Sequence, residues 1–148
     1  MKQEINGSLV QPPSDPMTMR LHHVGVAVES LAEAIPIFTA LLGAPCAAPE
    51  IVEDQKIRVV VFELGQSRIE LLEATAADSP VARFIDRRGP GVHHLTVAVP
   101  NLAGFLKELE RSGIRLVDKE PRAGAGGERI AFLHPKSTAG VLIELVEE

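Results

Sequence analysis

The chain has 148 residues, 45% of them hydrophobic but only 3% aromatic, so it suits one domain or two small fused halves built on an aliphatic core. A formal net charge of -5 with no basic stripe argues against nucleic acid as a partner. No apolar run reaches the ~18 residues of a membrane helix, and the single cysteine, Cys46, excludes an internal disulfide and is expected to be a small buried hydrophobe.

Residues 1–16 are polar, contain proline and lack periodicity, which predicts a flexible tail preceding a domain over 17–148. The tail lacks the positive-then-apolar order of a secretory signal, so the expected location is cytoplasmic. Met17 and Met19 stand just before the ordered pattern as alternative starts. A strand alternating in period two follows over 21–28. "ESLAEAIPIFTALLG" then reads as a helix, with Ser30 and Glu33 at capping-box spacing, Gly43 as its stop and Pro36 expected to bend it. "IRVVVFELG" and "SRIELLEA" are two strands joined by a glycine-containing turn, with Gln55 before them expected in a turn or at the surface. "DSPVARFIDRRG" predicts a short helix capped by Asp78 or Ser79, with Pro80 in its first turn and Gly89 at its end.

The order then restarts. Strand "HHLTVAV" precedes helix "NLAGFLKELERSG", capped by Asn101 and stopped by Gly113. "IRLVDKEP" is expected to be a strand, the glycine-rich "RAGAGGERIAFLHP" a flexible hairpin, and "GVLIELVEE" the closing strand. The glycine-rich stretch lacks the Gly-Lys-Ser/Thr ending of a phosphate-binding loop. Each half is thus strand, helix and three strands, with modules at about 20–75 and 91–148.

The repeat carries chemistry. "RLHHVGVAV" and "GVHHLTVAV" open the two halves, and "IELLE" and "IELVE" close them. The separation is 47 residues from His23 to Glu70 and 50 from His94 to Glu144. Side chains alternate along a strand, so one histidine of each doublet faces a shared cavity. The second of each doublet keeps the same phase, which selects His23 and His94 and leaves His22 and His93 outward or behind the ligands. Glu70 and Glu144, flanked by Ile and Leu, face away from the helices. A lone strand histidine or glutamate is ordinarily a core or solvated residue; the duplicated spacing is what selects these four. Pseudo-two-fold halves would bring His23, Glu70, His94 and Glu144 to one centre. Imidazole and carboxylate without thiolate suit cobalt, manganese, nickel or zinc.

In these motifs the chain resembles the vicinal oxygen chelate superfamily. "DSPVARFIDRRGPGVHHL" and "EPRAGAGGERIAFLHPKSTAGVLIELVE" look like its methylmalonyl-CoA epimerases, over about residue 20 to the C-terminus. The resemblance implies an α+β fold of tandem βαβββ modules, curved into a mixed sheet around a metal-centred cavity. It implies a divalent metal, cobalt first, on His23, Glu70, His94 and Glu144. The implied reaction interconverts (2R)- and (2S)-methylmalonyl-CoA by α-proton transfer through a metal-stabilised enolate. Glu144 would be both ligand and one acid-base group, and the second such group is unassigned. The implied partner is an acyl-CoA substrate, with a homodimer as the assembly and neither membrane nor nucleic acid. One departure matters: some bacterial members carry a proposed catalytic Glu where this chain has Val59, so a two-carboxylate scheme does not transfer whole. The alternatives are a lactoylglutathione lyase or another metal-dependent isomerase or lyase using the same ligands, and a drug-binding resistance protein, which needs no such metal set.

Overall fold

A computed structural model of the chain describes residues 19–124 and 126–148; the tail expected at 1–16 lies outside them. In order the elements are β1 (Arg20–Ala27), α1 (Leu31–Leu42), β2 (Glu50–Val52), β3 (Ile57–Leu64), β4 (Ser67–Ala74), α2 (Pro80–Arg88), β5 (Gly91–Val99), α3 (Leu102–Arg111), β6 (Arg122–Ala123), β7 (Arg129–Leu133) and β8 (Ile143–Glu147). This is the expected α+β repeat of βαβββ modules. The chain divides into two compact units, His23–His94 and a second that joins the described residues up to His22 with Leu95–Glu148. Among the described residues, no helix is long and apolar enough to cross a membrane.

In the first unit the strand order is β2-β3-β4-β1. β1 runs parallel to β4, with Gly25 opposite Glu70, while β3 pairs antiparallel with β4, with Val61 opposite Glu70. Period-two alternation feeds two apolar layers. Val60, Phe62 and Leu71 pack with Leu31 and Ala34 of α1, whereas Ile57, Leu72 and Ala27 pack with Val81 of α2. Val59 lies in the second layer, paired with Leu72.

The helix ends follow local chemistry. Ser30 Oγ accepts from Glu33 N at 3.2 Å, and Gly43 closes α1 at φ 87°, a conformation that costs glycine little. α1 continues through Pro36. For α2 the cap is Ser79, which accepts from Val81 N at 3.2 Å; the carboxylate of Asp78 pairs instead with Lys56. That partner holds the Asp78 carboxyl below its ordinary range. Gln55 ends a 3-10 turn, Glu53–Gln55, as the turn expectation required.

In the second unit the order is β5-β8-β7-β6. β5 runs parallel to β8, with Thr96 opposite Glu144, and β7 pairs antiparallel with β8. α3 is capped by Asn101 Oδ1, which accepts from Gly104 N at 3.2 Å. Its Leu102, Leu106 and Leu109, spaced for one helical face, pack against Val99, Ala131, Leu133 and Leu145. Ala98, Ile130 and Val146 form a separate cluster from the alternate positions of these strands.

Two expectations are corrected. "IRLVDKEP" is not a regular strand: it makes an isolated bridge, Leu116 to Leu133, and the short β6 follows it. The reason is Asp118, whose Oδ2 accepts from Phe132 N at 2.8 Å and so takes the place of a backbone carbonyl. Cys46 is exposed, because it falls in the surface loop after Gly43 and is tied down through its backbone N to Val61 O at 2.8 Å.

Candidate metal and active site

His23 and His94 are both buried, at 7% and 8% exposure, although each sits on a strand that starts at the surface. The phase chosen from the repeat therefore places the second histidine of each doublet inward. Glu70, from β4, meets them. One ligating atom from each of His23, Glu70 and His94 lies within 4.8 Å of the others, entirely within the first unit. His23 Nε2 is 3.1 Å from Glu70 Oε2 and 3.1 Å from His94 Nε2, with the imidazoles nearly perpendicular at 86°.

That geometry suits a divalent ion. Ligand atoms about 2.1 Å from a metal and at right angles to each other stand about 3.0 Å apart. Both observed separations are close to that value. Burial lowers the His94 pKa to about 4, with His93 adding a smaller push in the same direction. The ring is thus neutral near pH 7, as a metal ligand must be.

Glu144 is not in this group. It lies on β8 in the second unit, where its Oε1 accepts from Thr96 Oγ1 at 3.2 Å. Burial raises its carboxyl to about 7; the Thr96 hydroxyl and Arg122 oppose that rise, and Glu128 and Asp118 add to it. A carboxyl tuned near neutrality can take or give a proton at physiological pH.

Three further residues stand beside these side chains. Gly25 stands beneath His94: a Cβ there would lie 2.2 Å from Cε1 and 2.5 Å from Nδ1 of the ring. Any side chain would displace the imidazole. The signal was available, since a glycine inside an alternating strand marks a close approach. Thr96 holds the matching position in the second module and is fully buried. His93 stays beside His94, Nδ1 to Nδ1 at 3.0 Å, and its own pKa is lowered by burial. Val59 stands on β3, opposite Leu72 of β4.

Residues 22–132 match the model of the glyoxalase/bleomycin resistance protein/dioxygenase superfamily. The chain belongs to that superfamily. An uncharacterized protein of Bacillus subtilis, YqjC, is 41% identical over 128 residues, which span 86% of this chain and 91% of that one. The crystal structure of methylmalonyl-CoA epimerase from Mycobacterium tuberculosis is similar with a TM-score of 0.77 at 39% identity, covering 86% of each chain. A methylmalonyl-CoA epimerase in complex with methylmalonyl-CoA and NH4+ is similar with a TM-score of 0.80 at 33% identity, covering 88% of this chain and 95% of that one.

Proposed function

We propose that the protein is a metal-dependent epimerase that interconverts (2R)- and (2S)-methylmalonyl-CoA. The observation that carries this reading is the convergence of His23, Glu70 and His94, in a chain similar to epimerases of that substrate. These three residues would hold the ion, and Glu144 is proposed as the fourth ligand because "IELVE" repeats the phase of "IELLE". A divalent ion there, cobalt first, would supply Lewis-acid stabilisation of the charge that develops on the thioester oxygen.

The chain's own residues do the rest. Glu144 is proposed to move the proton at C2, a role worth about 10²–10⁴-fold for a positioned acid-base group. Its burial and the Thr96 hydroxyl support that role by setting both its orientation and its proton affinity. Gly25 leaves room for the His94 ring, so that Nε2 keeps its place beside His23.

The test is exchange of the C2 hydrogen of methylmalonyl-CoA in deuterium oxide. Ion-stripped protein should exchange at background rate, and cobalt(II) should restore exchange. Absence of exchange in the cobalt-loaded protein removes the epimerase reading. Turnover of the glutathione hemithioacetal in its place would make the chain a lactoylglutathione lyase.

A further inference from the structure

We infer that His93 is a positioning residue that selects the ring tautomer of His94, so that His94 presents an unprotonated Nε2 to a metal ion. The inference rests on the metal-site reading above and extends it to the first histidine of the second doublet. Two ring nitrogens face each other across 3.0 Å, Nδ1 of His93 and Nδ1 of His94. A hydrogen bond between them needs one proton and one lone pair. If His94 carries the proton on Nδ1, its Nε2 is left with a lone pair. That Nε2 is the atom 3.1 Å from His23 Nε2, in the group with Glu70. If the proton is on His93 Nδ1, then His94 Nδ1 accepts it and His94 Nε2 is protonated or charged, and cannot bind an ion. Only the first arrangement is compatible with the metal site.

His93 is itself held in place. Its ring meets Phe84 of α2 edge-on, with centroids 5.0 Å apart and planes at 72°, and the guanidinium carbon of Arg88 lies 5.7 Å from the Phe84 centroid. α2, the connecting helix between the two modules, thereby fixes a ring that in turn orients a proposed ligand. Partners of this kind on metal-ligating histidines change metal affinity by about 10–100-fold.

Two variants separate the acceptor from the packing. His93→Phe keeps a ring against Phe84 but offers no acceptor, while His93→Gln keeps a carbonyl acceptor and gives up the ring. In ion-free, ring-¹⁵N-labelled protein at pH 8, His94 should be protonated at Nδ1 in the parent and in His93→Gln. In His93→Phe it should shift toward the Nε2-protonated form. Cobalt(II) titration should give His93→Gln an affinity within about 3-fold of the parent and His93→Phe one about 10–100-fold weaker. Parental tautomer and affinity in His93→Phe would overturn the inference. Equal losses in both variants would also overturn it, because the ring packing and not the acceptor would then matter. A parent that binds no cobalt removes the metal-site reading, yet the nitrogen spectra still decide whether His93 sets the tautomer.

Discussion

At the scale of single residues, the site depends on which side chains are absent as much as on those present. Gly25→Ala would place a methyl 2.2 Å from His94 Cε1, and the ring must move. We expect cobalt affinity to fall at least about 10-fold, measured by titration, with helix and strand content unchanged by circular dichroism. Glu144 and His94 act on stability in opposite directions when no ion is bound. The His94 pKa lies below its ordinary value, so its contribution is present above about pH 6.5 and is lost as pH falls through about 4. The Glu144 pKa is raised, so its contribution is present below about pH 4.5 and is lost as pH rises through about 7. Glu144→Gln removes the second loss. In chelator, the variant should gain stability relative to the parent between pH 5 and pH 9, on the order of 2 kcal/mol, read from urea unfolding midpoints. A pH-independent difference would show that the carboxyl titrates normally in the fold. With cobalt bound, the same variant should keep part of the metal but lose C2 exchange by at least ~10²-fold. His23, Glu70 and His94 were legible in the sequence because spacing and strand phase are periodic properties. The His93 contact and the Gly25 cradle were not, because both depend on ring rotamers and on which strand lies alongside.

The elements are where local chemistry is most readable. Ser30, Ser79 and Asn101 each cap the helix expected of them, and glycines follow α1 and α2 at positive φ. Ser79→Ala should cost about 1 kcal/mol in chemical denaturation, since its hydroxyl serves Val81 N and also reaches Gln55 O at 3.4 Å. "IRLVDKEP" has the alternation of a strand, but a side chain intervenes. Asp118 Oδ2 takes the Phe132 N–H while its Oδ1 accepts from Arg122 Nε at 3.1 Å. A residue pattern shows which faces are apolar, but not that a carboxylate will replace a ladder bond. Asp118→Ala should therefore speed amide exchange at Phe132 at least several-fold while leaving the β8 amides near their parental rates. Unchanged exchange at Phe132 would count against this role for Asp118.

For the molecule as a whole, the duplication was legible and the division into compact units was not. The sequence repeats at the histidine doublets, whereas the first unit runs from His23 to His94, and so includes α2 and the start of β5. Strand pairing and helix docking decide that boundary, and neither is periodic in the sequence. His23, Glu70 and His94 fall within this unit although His94 belongs to the second repeat. An ion held there binds the folded chain alone, and should stabilise it by about 2.7 kcal/mol at a hundred times its dissociation constant. That gain should fade as pH falls toward about 4, where protons compete for the His94 imidazole. The most direct measurement of the central claim is cobalt content by elemental analysis, after loading and desalting. The parent and His22→Ala should each retain close to one ion per chain, while His23→Ala and His94→Ala retain little. Equal cobalt in all four proteins would contradict the assignment of His23 and His94 as ligands.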